Sequence, residues 1–324
     1  MTASTSLPVT RAADLADVPT ERRWLVEDLW GDQAVGIVGG EPKCCKSFLA
    51  LDLAVAVASG APCVRRFAVP RTGRVLLFAA EDALHVVRQR LASIARAAGH
   101  ALVDLDIQVI TAPTVRLDIE RDRDALAETV AKLRPRLLVL DPFVRLHRVD
   151  ENLSGEVAPL LAYLRELQRR YHLAVVLVHH ARKGGAKMRA GQALRGSSEF
   201  HACGDSNLYL RRHSDQLTLS VEHRAAASIS NVQLLLDTTE GAVALRTLNY
   251  GAATAEPAPT EPAGAELSLE QRLIEHLTAA SAPLTATALR KLCQVRNATL
   301  QAALTVLVAN GCVFKDRAGY VLAR

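Results

Sequence analysis

One stretch constrains this chain more than any other: Gly-Ile-Val-Gly-Gly-Glu-Pro-Lys-Cys-Cys-Lys-Ser-Phe-Leu-Ala-Leu-Asp-Leu-Ala, residues 36–54. It reads as a buried strand over 34–39, a tight loop, and a helix starting near Lys46. Between them Gly40-Glu41-Pro42-Lys43-Cys44-Cys45-Lys46-Ser47 matches the phosphate-binding pattern G-x-x-x-x-G-K-[ST] at every fixed position but one. Such a loop wraps backbone N–H groups around phosphates, and the helix N-terminus adds its positive dipole end. Lys46 is placed to reach the terminal phosphates, Ser47 to hold Mg²⁺ through its hydroxyl, and Phe48 follows in the first helical turn. The glycine expected before the lysine is Cys45. A residue with a side chain held at φ > 0 costs ~1–2 kcal/mol, which a well-packed loop absorbs. The expected ligand is therefore ATP with Mg²⁺, and Cys45 bears on turnover more than on binding. An amphipathic helix is expected over 48–58.

At 324 residues the chain accommodates one large α/β domain and a small appendage. Aromatics make up only 4%, so the core is built from Ala, Val and Leu. The net charge of +5 permits a polyanionic partner without requiring one. Residues 1–20 form a polar lead-in with no apolar signal core, and no run reaches the ~18 apolar residues of a membrane span. The six cysteines lack metal-ligand spacing and read as reduced, so the expectation is a cytoplasmic protein that does not enter a membrane.

Continuous apolar runs at 73–80, 136–141 and 173–180, with a further strand at 104–110, alternate with helical patterns up to about residue 97, at 125–133 and at 157–170. That alternation predicts a doubly wound, mostly parallel sheet. Short strands at 207–212, 216–222, 232–237 and 242–248 predict an antiparallel extension. Both tryptophans, Trp24 and Trp30, precede the loop strand and are expected to pack under the sheet. The ATPase core thus spans 21–250. A Pro/Ala linker follows over 251–266, and 267–324 reads as three helices and a hairpin, the winged-helix pattern.

Chemistry concentrates at the C-terminal strand tips. Asp141 ends an all-apolar strand at the sheet's ligand edge, where it suits a Mg²⁺-water ligand. Glu81 ends another and is placed to polarise an attacking water; its neighbour Asp82 is expected to N-cap the next helix. His179 and His180 end a third strand, read as a pair facing one edge that senses the terminal phosphate. The segment from Arg182 to Gly196 carries Arg182, Lys183, Lys187, Arg189 and Arg195 with no acidic residue. It suits nucleic-acid backbone contact, or an arginine finger reaching a neighbour's site. Arg195, Arg211 and Arg212 are the finger candidates. In the appendage Arg290, Lys291 and Arg296 cluster on the second and third helices. Duplex DNA binding and protein docking both fit them.

Together these features resemble the RecA superfamily and, within it, the RepA-like ring ATPases of plasmid, phage and other mobile elements. The resemblance rests on Gly39 to Ser47, Ala79-Ala-Glu-Asp82, Leu137-Leu-Val-Leu-Asp141 with Asp150-Glu-Asn152, and His179-His180 with Leu194-Arg-Gly-Ser-Ser198. It covers about residues 22–250. It implies a RecA-like P-loop core and a homo-oligomer, a hexameric ring, with sites between subunits. Lys46, Ser47, Glu81 and Asp141 come from one subunit, and Arg195, Arg211 or Arg212 from the next. It also implies single-stranded DNA in a central channel and helicase or translocase activity. A nucleotide-gated DNA-binding or adaptor protein with little turnover is the alternative; no substrate lid supports a small-molecule kinase.

Overall fold

Strands that are apolar at every position need both faces covered, because successive side chains point to opposite sides of the sheet. In chain order a short hairpin of β1 (Trp24–Val26) and β2 (Trp30–Gly31) leads into β3 (Val35–Gly40), α1 (Lys46–Ser59), β4 (Val75–Ala79), α2 (Leu84–Ala97) and β5 (Ile107–Val109). There follow α3 (Glu120–Leu133), β6 (Leu137–Asp141), α4 (Ser154–Tyr171), β7 (Ala174–His180) and α5 (Glu199–Cys203). The first unit ends with β8 (Ser206–His213), β9 (Gln216–His223), β10 (Ile229–Thr239) and β11 (Ala242–Thr247). The structure, a computed structural model, describes residues 9–15, 23–180, 199–213, 216–239, 242–248, 269–279, 283–293, 300, 304, 307, 313–315 and 319–322. It divides into two compact units, 1–253 and 254–324. No helix among the described residues is long and apolar enough to cross a membrane.

Nine strands form one sheet in the order β11-β10-β9-β8-β3-β7-β6-β4-β5. Pairing is parallel from β8 to β5 and antiparallel from β8 to β11. This is the mostly parallel α/β sheet with an antiparallel extension that the sequence predicts. On one face Ala174, Val176 and Val178 of β7 pack with Val38 and the buried side of α1. On the other, Val175 and Leu177 pack with Leu160 and Leu164 of α4. Each such fully buried aliphatic side chain contributes about 1.5–3 kcal/mol. Trp30 is fully buried and its indole N–H donates to Ala34 O at 3.3 Å, while Trp24 meets the His223 ring edge-on at 5.0 Å.

Three sequence expectations need correction. Helix α1 is not amphipathic: residues 49–57 are buried without a break, because α1 packs on β3, β4, β6 and β7 and is itself covered by α2. Even Asp52 in it is fully buried; its carboxylate accepts from Val64 N and Arg65 Nη2, both at 2.7 Å. The strand expected over 104–110 shrinks to β5, since Leu102–Asp104 forms a 3₁₀ turn. Helix α3 starts at Glu120, earlier than expected, with Glu120 and Asp122 in its first turn where the helix dipole favours acids.

The second unit holds α6 (Leu269–Ala279), α7 (Ala286–Cys293) and a hairpin of β12 (Val313–Lys315) and β13 (Tyr320–Leu322). Leu284 adds an antiparallel bridge to Tyr320. Leu273, Leu277, Leu289, Leu300, Leu304, Leu307, Val313 and Tyr320 share its core. Most of the helix expected over 297–309 lies outside the described residues, as does the linker at 251–266.

Candidate nucleotide-binding site

The loop between β3 and α1 is curled by two non-glycine residues in the left-handed region, Lys43 at φ 63° and Cys45 at φ 64°. Cys45 is the N-cap of α1 and adopts ψ 26°, the conformation the missing glycine takes without strain. Gly40 (φ 155°) is needed for a different reason: a Cβ there meets Leu210 O at 2.4 Å and Cys44 Sγ at 2.6 Å. The Cys44 thiol thus fills the inside of the loop, fully buried, and burial raises its pKa. Glu41 is half-buried, while Pro42 and Lys43 are exposed on the rim. Ser47 and Phe48 are half-buried in the first turn of α1.

Lys46 is only 6% exposed, and its Nζ donates to Glu41 O at 2.7 Å, so the ammonium lies over the loop's own carbonyl. Burial lowers its pKa, opposed by nearby Cys44 and Asp141. Asp141, at the end of β6, lies close to the Ser47 hydroxyl and to Lys46. Burial pushes its pKa up to about 6, the nearby Ser47 hydroxyl opposes this, and Asp82 and Glu81 push further upward. Ser47 and Asp141 are oxygen donors drawn together beside an anion-binding loop, a donor set that fits Mg²⁺.

The β4–β6 register pairs Ala79 with Asp141, which brings Glu81 to the same edge. Glu81 pairs with Arg145 at 2.9 Å, a contact the sequence reading missed; the only cue is that Arg145 lies one turn beyond Asp141. Both partners are largely exposed, so the pair itself is worth little and leaves the carboxylate free to exchange it. Asp82 does not cap α2. The N-cap is Ala83, and the Asp82 carboxylate instead holds Arg90.

His179 and His180 are not a pair facing one edge. Adjacent strand residues point to opposite faces. His179 goes to the α4 side, 1% exposed, stacked on Phe200 at 4.3 Å, its Nδ1 3.9 Å from Glu151 Oε1. Glu151 also lies 3.5 Å from His147 Nε2, so two imidazoles flank one buried carboxylate. His180 aligns with Gly40 in the β3–β7 register and shares the α1 face, beside the loop. Spacing alone does not reveal Glu151, His147 or Phe200 as partners of His179.

On β8, Leu210 is level with Gly40, so Arg211 and Arg212 extend past the tip of β3. Half-buried Arg211 shares the face of Tyr209. Arg212 lies on the opposite face, and its Nη2 donates to Cys45 Sγ at 3.4 Å. Arg182, Lys183, Lys187, Arg189, Arg195 and Arg296 lie outside the described residues. Arg290 is exposed on α7, and Lys291 follows it there.

Solved structures share this architecture. The ATPase domain of G40P matches with a TM-score of 0.52 at 12% identity, covering 66% of this chain and 84% of its own. A DnaB-like replicative helicase, solved for its interactions with primase, matches with a TM-score of 0.51 at 13% identity, covering 66% of this chain and 57% of its own. At those identities the likeness concerns the P-loop ATPase fold. The AAA domain family matches residues 2–186, more than half of the sequence and the whole of the phosphate loop, Glu81 and Asp141. The chain belongs to the AAA domain family (AAA_25).

Proposed function

We propose that the chain is an ATP-hydrolysing ring ATPase acting on DNA, a helicase or translocase in the replication of a plasmid or other mobile element. The observation that carries the ATPase part is the loop between β3 and α1, with Lys46 Nζ curled onto Glu41 O at 2.7 Å and the buried Asp141 at the tip of β6 within electrostatic reach of it. Lys46 leaves Glu41 O for the β- and γ-phosphates, and the loop N–H groups from residues 40 to 48, Pro42 having none, hold the rest of the phosphate chain. Ser47 and Asp141 would hold Mg²⁺, which when bound would supply positive charge against the phosphates. Glu81 orients the attacking water after exchanging Arg145, and His180, beside Gly40, registers whether the terminal phosphate is present. An arginine from the neighbouring subunit, Arg195 or Arg211, completes each site of a homo-oligomeric ring, a hexamer.

The DNA part is supported by the basic composition of 182–195 and by the similarity in fold to a DnaB-like replicative helicase. In this reading Arg182, Lys183, Lys187 and Arg189 contact single-stranded DNA in a central channel. The second unit is a winged helix that uses Arg290, Lys291 and Arg296 on duplex DNA or a protein. The protein works in the cytoplasm. A second reading, a nucleotide-gated adaptor with little turnover, is favoured by one observation: Cys45 sits strained at the glycine position.

ATP hydrolysis by purified protein, with and without single-stranded DNA and beside Lys46→Ala, separates the two. DNA-stimulated turnover lost in Lys46→Ala is the expected result. Tight ATP binding without turnover on any DNA refutes the motor and leaves the switch.

A further inference from the structure

Arg212 faces the wrong way for an arginine that serves a neighbour. A finger donated in trans projects away from its own loop. Arg212, exposed, instead folds back over its own loop, its Nη2 3.4 Å from the Sγ of Cys45 in the same chain. Three independent features put it there. The β3–β8 register aligns Leu210 with Gly40, so residue 212 overhangs the loop by two positions. Strand alternation gives Arg212 the face of Leu208 and Leu210, which pack in the same core as α1. Cys45, as the left-handed N-cap of α1, supplies the sulfur acceptor that a glycine lacks.

A thiol is a weak acceptor for a guanidinium that carries five strong donors. The contact is therefore a resting position, easily given up for a phosphate oxygen, which takes an arginine in a charge-assisted and often bidentate way. We propose that Arg212 contacts the terminal phosphate of a nucleoside triphosphate bound to its own subunit, leaving its position on Cys45 to do so. This rests on the nucleotide-binding reading above and adds to it a phosphate contact supplied in cis. It also explains why a thiol is tolerated at a glycine position: the side chain that strains the loop holds the arginine over it.

The test is equilibrium binding of a fluorescent non-hydrolysable ATP analogue and of fluorescent ADP, so no turnover is required. Arg212→Ala is expected to weaken the triphosphate about tenfold, or about 1.4 kcal/mol, and ADP less than twofold. Arg212→Lys is expected to recover part of the loss. An equal loss for both nucleotides shows that Arg212 only braces the loop and overturns the proposal, as does no loss. An equimolar mixture of Arg212→Ala and Lys46→Ala proteins then separates cis from trans. In cis every site lacks at least one group and no site binds the triphosphate more tightly than Arg212→Ala; in trans roughly a quarter of the sites would carry both groups, so the appearance of a wild-type-affinity fraction overturns the assignment. Failure of the wild-type protein to bind either nucleotide overturns the nucleotide reading together with this one. Lys46-dependent binding untouched by Arg212→Ala overturns this one alone.

Discussion

Asp141 carries a measurable cost to folding. The residue is 8% exposed, and burial, with Asp82 and Glu81 nearby, lifts its pKa from the ordinary 3.8 to about 6. The folded protein then holds this proton more tightly than the unfolded chain, so the stabilising contribution is present at low pH and fades as pH rises through 6. Integrating the two titrations gives about 1.4 kcal/mol more stability at pH 5 than at pH 7.5 from this one group. Asp141→Asn removes the titration and keeps the volume. Both tryptophans, Trp24 and Trp30, lie in the first unit, so urea unfolding followed by tryptophan fluorescence reports on the ATPase unit alone. Without divalent ions, the gap between Asn variant and wild type is expected to widen in favour of the variant by about 1.4 kcal/mol from pH 5 to 7.5, or about 0.5 M in urea midpoint for an m-value near 3 kcal/mol/M. Carboxylates that do not interact with Asp141 cancel in that difference. Parallel stability curves, within about 0.3 kcal/mol, refute the idea that this carboxylate is held in a destabilising environment. ATP with Mg²⁺ is expected to abolish the gap, because a cation at Ser47 and Asp141 favours the charged form.

Three further outcomes follow from the geometry. Asp52→Ala strands Arg65 and leaves Val64 N unpaired in the interior, so it is expected to destabilise the first unit by about 3–5 kcal/mol in the same urea assay. Gly36→Ala places a Cβ 1.7 Å from Ser206 O and must push β8 off β3; loss of the cooperative tryptophan transition is expected, and a midpoint like wild type contradicts the close β3–β8 approach. Iodoacetamide is expected to alkylate half-exposed Cys45 well before buried Cys44 and Cys63, read by tandem mass spectrometry, with ATP slowing the Cys45 reaction.

Much of the fold was legible because its signals are local. The apolar runs that became β3, β4, β6 and β7 announce strands buried on both faces, and the loop pattern between β3 and α1 names its own chemistry. Asp141 was found by the same logic, a charge where an apolar run stops. What failed were inferences about which groups meet. His179 and His180 are adjacent in sequence and separated by the sheet, one against Phe200 and the other beside Gly40. The apolar residues of α1 suggested a helix half exposed to solvent, but α2 covers it.

The sequence by itself determined the phosphate loop, the strand tips that bear Glu81 and Asp141, and the alternation of strand and helix, since each depends on residues within a turn or a single strand. Tertiary structure alone decided that β8 lies against β3, that Arg212 therefore ends over Cys45 of its own loop, and that Glu81 pairs with Arg145. Those contacts follow from strand order and register. Register is set by how whole faces pack, over separations such as the 167 residues between Cys45 and Arg212, where spacing in the chain carries no information about distance.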